Sequence, residues 1–226
     1  MLQPKKKFTK QEIERDPVLE KTILMEKFIR THAQTLLIAF GVVALVVIVG
    51  VFMMKSGKTK KLNASGKLGL AQMAYQNGDL DDAVLRLEEV LEDFSGLSSA
   101  GAACLQLGQI YMEKEEYETA KKYYSEYVNK YDDAIGKAGA LDALGVCFEN
   151  TGNFEEAAEN YKKAVKAAEF KFQKQISQVN LARISMNLGD LAGARKLLDE
   201  VKNNEPEYNL NMQVELLSGK LVVLEN

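Results

Sequence analysis

Four alanines, Ala83, Ala120, Ala157 and Ala194, stand 37 residues apart in a chain of 226, and this period constrains the fold more than any other feature. Twelve positions before them come Ala71, Gly108, Gly145 and Ala182, and one more step of 37 reaches Gly219. Four positions after them come Leu87, Tyr124, Tyr161 and Leu198. That pattern fits paired helices: small residues where two backbones cross closely, and large ones filling the space beside the crossing. Between the halves lie Gly78-Asp79-Leu80, Glu115-Glu116-Tyr117, Gly152-Asn153-Phe154 and Gly189-Asp190-Leu191. Glycine ends the first helix because it alone takes the left-handed C-terminal position without strain. Glu115 replaces it in the second unit, which must turn differently or lose about 1 kcal/mol. A hairpin cannot bury its faces alone, so neighbouring units stack and share a continuous core. The expected fold is therefore all-α, an α-solenoid of about four repeats over residues 68–226. Residues 211–224 read as a closing helix, more apolar at Val222, Val223 and Leu224 than a cap requires.

A second feature divides the chain. Residues 36–54 form nineteen consecutive positions without a charge or a strongly polar side chain. As a helix this run is about 28 Å long, close to the roughly 30 Å of a bilayer's hydrocarbon core. It is apolar all round, unlike a soluble core helix, which keeps a polar stripe. The segment before it is long, and Met53-Met54-Lys55-Ser56 offers no small-x-small cleavage site, so the reading is an uncleaved single transmembrane anchor rather than a signal peptide. Residues 1–35 form an N-terminal tail in which Thr9 with Glu12 fits a capping box and Asp16-Pro17 fits a helix start. Val18, Leu19, Ile23, Leu24, Phe28 and Ile29 then recur at helical spacing. Two readings stand: an amphipathic helix on the headgroups, or a solvated tail.

Charge is distributed unevenly along these parts. Residues 1–54 carry eight Lys/Arg against five Asp/Glu, and the basic neck of residues 55–67 carries five lysines and no acid. The remaining sixteen bases and twenty-seven acids give residues 68–226 a net charge of -11. An acidic body is repelled by phosphates, which argues against nucleic acid. Orientation is left open by charge, because near-flank counting favours the C-terminal side and whole-tail counting the N-terminal side.

The sequence offers little to catalysis. A single histidine, His32, removes most catalysts that need histidine with a second group, Ser/His/Asp triads and His-rich metal sites among them. Acid runs such as Glu88-Glu89 and Glu155-Glu156 read as solvated faces of second helices. Cys104 and Cys147 fall in first helices of adjacent units. Helix spacing of about 8–10 Å and an axial offset of about 9 Å separate them beyond bridging distance, which predicts buried free thiols. No enzyme activity, cofactor, metal or small-molecule substrate is expected.

The repeated positions resemble the tetratricopeptide repeat, most closely in the unit running from Leu144-Gly145 through Phe148, Gly152, Ala157 and Tyr161 to Ala164. The usual repeat is about three residues shorter, which places extra residues in inter-repeat loops such as 94–99 and 132–137. The resemblance implies a concave groove for protein partners, lined by the first helices: Leu68, Gln72 and Tyr75, then Leu105, Gln109 and Met112, then Val146 and Glu149, then Val179, Arg183 and Met186. Such a lining, apolar with scattered amides, suits extended or helical apolar segments. With the anchor and the basic neck, the chain also resembles the YfgM-like family of bacterial inner-membrane proteins, chiefly over residues 26–30 and 134–164. That resemblance implies a cytoplasmic N-terminus, a periplasmic repeat domain, and a role beside the SecYEG translocon with periplasmic chaperones or secreted clients as partners. Two alternatives remain: an adaptor for envelope assembly or cell division, and a membrane-tethered regulator whose repeats face the cytosol.

Overall fold

The computed structural model describes residues 17–131 and 134–225. Among the described residues the ordered secondary structure is helical. The helices are α1 (Pro17–Gln76), α2 (Leu80–Asp93), α3 (Ser98–Glu113), α4 (Tyr117–Lys130), α5 (Ala134–Asn150), α6 (Phe154–Ala167), α7 (Lys171–Asn187), α8 (Leu191–Asn203) and α9 (Tyr208–Glu225). The chain forms two units, Met1–Thr59 and Lys60–Asn226. The second begins within the basic neck: Ala64 is fully buried among first-repeat core residues, and Lys67 Nζ lies 2.7 Å from Asp93 and 3.5 Å from Glu89.

In the first unit, the N-terminal part of α1 carries the apolar run. Leu37, Phe40 and Phe52 in it are 72%, 74% and 74% exposed, the opposite of a buried core helix. It is the one helix among the described residues long and apolar enough to cross a membrane. Residues 21–35 are helical as well, with an Arg30–Glu26 ion pair at 2.9 Å and the Phe28 ring stacked on His32. The Thr9–Glu12 capping box and Asp16 lie outside the described residues.

In the second unit, the hairpins are the C-terminal part of α1 with α2, then α3/α4, α5/α6 and α7/α8. All four turn alike. The backbone N–H groups of Asp79, Glu116, Asn153 and Asp190 reach back to Ala74, Tyr111, Phe148 and Ser185 at 3.0, 2.8, 2.9 and 2.8 Å. This six-to-one bond, with a left-handed residue before it, satisfies the last carbonyls of each first helix. The left-handed residue has φ of 80° at Gly78, 78° at Gly152 and 81° at Gly189. Glu115 adopts the same turn at φ 59° and therefore carries the strain instead of avoiding it. Asp79 and Asp190 cap the following helices by accepting from the N–H of Asp82 and Gly193 at 3.2 and 2.9 Å.

The small and large repeat positions meet across each hairpin by size. A β-carbon on Gly108 would lie 2.7 Å from the Tyr124 ring, and one on Gly145 would lie 2.5 Å from the Tyr161 ring. Where the second helix carries leucine, the first carries alanine: Ala71 with Leu87 and Ala182 with Leu198 share core clusters at 2% exposure or less. Glycine accommodates tyrosine and alanine accommodates leucine, which keeps the crossing filled at constant volume.

The inter-repeat connections differ from the sequence expectation. Ser98 and Ser99 already belong to α3, and α5 begins at Ala134. The extra residues lengthen first helices, of 16 and 17 residues, and only residues 94–97 and 168–170 join the helices they flank. Tertiary packing explains this for α3: Ala100 is fully buried and Gly101 sits against the Tyr131 ring, so its first turn is enclosed. Cys104 and Cys147 are fully buried free thiols, as expected from the spacing. Helix α9 closes the array, packing on α7 and α8 through Leu210, Val214, Leu217 and Leu221.

Candidate binding groove on the first helices

The first helices of the repeats carry the side chains that the repeat register assigns to a groove. Gln109, Met112 and Val146 come together in a cleft of about 430 Å³ between α3 and α5, with Glu113, Asp142 and Ala143. Gly139 leaves part of its wall open, with no atom within 4 Å of a built β-carbon. Tyr124, on a second helix, reaches the same cleft. Sequence reasoning missed it as lining, although the signal was available: with no side chain on Gly108, the tyrosine ring passes over it to the groove side.

Polar groups tie neighbouring first helices together beside the cleft. Tyr75 Oη donates to Glu113 Oε1 at 2.6 Å, and Gln109 Nε2 donates to the same oxygen at 3.2 Å. The bond to Glu113, and then burial, raise the tyrosine's pKa. Farther along, Arg183 pairs with Glu149, which also accepts from Tyr161 Oη at 3.2 Å. Asn180 links Arg183 to Asp142, receiving from the guanidinium at 3.4 Å and donating to the carboxylate at 3.0 Å. Burial pushes the Asp142 carboxyl above its ordinary value, opposed by Ser177, Asn180 and Arg183, and burial also lowers the Arg183 pKa. Bonds formed within the fold fix these groups before any partner arrives, which preorganises the surface.

The other expected lining residues are placed differently. Gln72 is exposed. Leu68 and Tyr75 are half-buried against the first-repeat core, and Leu105 against the core around Cys104 and Cys147. Val179 and Met186 are only 3% and 6% exposed, enclosed in one cluster with Leu198, Val214 and Leu217. They are core residues and line no open surface. The cause is α9, whose apolar face covers this end of α7, whereas Asp142 and Glu149 at the matching positions of α5 are only half-buried.

Known proteins share this architecture. The chain is 29% identical over 128 residues to tetratricopeptide repeat protein 29 of Macaca fascicularis, covering 54% of this chain and 26% of that protein. It thus spans about a quarter of that relative's length. Among solved structures, BtubC from P. vanneervenii is similar with a TM-score of 0.56 at 19% identity, over 64% of this chain and 63% of that one. YrrB, described as a tetratricopeptide repeat protein with an unusual peptide-binding site, gives 0.53 at 17% identity over 68% and 75%. Yeast Tom70 gives 0.61 at 21% identity over 72% and 34%. At these identities the structures share the fold. The family model for the tetratricopeptide repeat-like domain matches residues 48–176, more than half of the chain, and with four stacked hairpins of one register this chain belongs to that family.

Proposed function

We propose that this protein is a non-enzymatic, membrane-anchored scaffold that holds apolar or amphipathic segments of other polypeptides in the groove of its first helices. Domains of this type mediate protein–protein interaction. The observation that carries the reading is the α3/α5 cleft, where Met112, Val146 and Ala143 supply apolar contact beside the acceptors of Glu113 and Asp142. Methionine adapts to varied apolar shapes, while the fixed carboxylates orient a partner's backbone or side-chain N–H groups. Anchoring is assigned to residues 36–54, whose apolar side chains are exposed around the helix.

Following the resemblance to the YfgM-like family, the narrower proposal places the protein in the bacterial inner membrane. Its repeats then lie in the periplasm, where they assist secretory translocation or hand clients to chaperones. Protease added to right-side-out spheroplasts should digest the repeat unit; protection would assign it to the cytosol and favour a tethered regulator. A photo-crosslinking residue replacing Met112 in intact membranes should capture translocon subunits, chaperones or emerging chains. Capture confined to division or outer-membrane assembly factors would favour the adaptor reading, and loss of all adducts would remove the groove as the binding surface.

A further inference from the structure

We propose that the outward face of α9, which among the described residues is a first helix with no second helix packed on it, is a helix-docking site. Its occupant is an amphipathic helix from another polypeptide that carries an alanine and, four residues later, an aromatic side chain. Gly219 stands one period of 37 after Ala182, at the small position that receives a side chain from the second helix in every repeat. Ala182 is fully buried, but Gly219 is exposed, with no atom within 4 Å of a built β-carbon.

Its neighbours show the same reversal. On α7, Val179 and Met186 are 3% and 6% exposed, clustered with α8 and α9, and Gln175, 4% exposed, donates from Nε2 to the Asn204 carbonyl just beyond α8 at 3.0 Å. One period later, Met212, Leu216 and Val223 are 57%, 75% and 75% exposed. They form a stripe with Gly219 at spacings of 4, 3 and 4 residues, on one face of the helix. The opposite stripe of α9 is buried on α7 and α8, so the helix has an apolar face more than a cap needs. This open face continues an interface that the fold builds four times over. The pairing by size specifies the knob: where the first helix carries glycine, the second helix presents tyrosine, at Tyr124 and Tyr161. Gly219 accordingly selects an aromatic residue over leucine.

The probe is a fluorescent peptide with the α6 sequence, Phe154–Ala167, held helical by a lactam between the exposed Glu159 and Lys163, titrated against the full chain in lipid nanodiscs. Fluorescence anisotropy should show saturable binding that weakens at least tenfold when Gly219→Gln fills the hollow, and similarly when the peptide's Tyr161 is changed to Ala. Gly219→Gln ends in a polar amide, meets no neighbouring atom and replaces a glycine inside a helix, so unchanged circular dichroism with a melting midpoint no lower than that of the unmodified chain verifies its fold. A Met112→Ala variant should bind the peptide as before, which separates this site from the groove. Equal binding by Gly219→Gln, or no binding by the unmodified chain, overturns the proposal. So does self-association of the unmodified chain that Gly219→Gln abolishes, since a second copy would then be the occupant.

Discussion

At the scale of single residues, backbone conformation and ring contact set the most direct expectations. Glu115 holds a left-handed φ of 59° at a position where the other three repeats place glycine. Its side chain is exposed, so Glu115→Gly removes strain and loses no packing. A gain of about 1 kcal/mol is expected, read as a raised denaturant midpoint with an unchanged slope. Gly145→Ala acts in the opposite direction, because its β-carbon would lie 2.5 Å from the Tyr161 ring, which is itself fully buried. A loss of about 1–3 kcal/mol is expected from overpacking. Adding Tyr161→Leu should recover part of that loss, since alanine with leucine is the pair used at both ends of the array; an additive double variant would refute the size rule. The turn glycines and the alternation of small and large residues were legible in the sequence because they are local or repeat at fixed spacing. The matching of glycine with tyrosine was equally present there, but its meaning depends on which helix faces which.

At the scale of helices, the inter-repeat connections show how tertiary packing overrides a length comparison. Ser98 and Ser99 read as loop residues, yet the enclosed Ala100 and Gly101 extend α3 back over them. The closing helix is the other instructive element. Leu221 is 1% exposed and lies in the cluster that α9 shares with α7 and α8. Leu221→Ala should lose about 2 kcal/mol, at the low end for leucine truncation because it stands near the helix end. In a solenoid, coupling is carried between neighbours. Hydrogen exchange should therefore quicken in α9 and the adjacent part of α7, with α3 and α4 unchanged; uniform acceleration across all repeats would contradict that picture.

For the whole molecule, the buried titratable groups predict an alkaline limit to stability. Burial pushes the Cys104 thiol from 9.0 up to about 12 and the Cys147 thiol up to about 11. It also raises Tyr123, Tyr124 and Tyr161 above the ordinary tyrosine value of 10.0. These groups stay protonated in the fold after the unfolded chain has begun to release its protons. Stability is thus fully present below about pH 9 and falls as pH rises toward about 11–12. Denaturant midpoints at about pH 8 and about pH 10.5 should show the drop, and native thiols should resist alkylation until the core opens. A flat profile would mean that these side chains are less enclosed than described. By itself the sequence determined the repeat register, the hairpins, their turns and the long apolar run, because each follows from side-chain size, backbone freedom or hydropathy along a short stretch. Only the tertiary structure decided which first-helix side chains remain accessible. Val179 and Met186 occupy groove positions by register, yet α9 folds over them, and burial depends on what a distant segment covers and not on spacing along the chain.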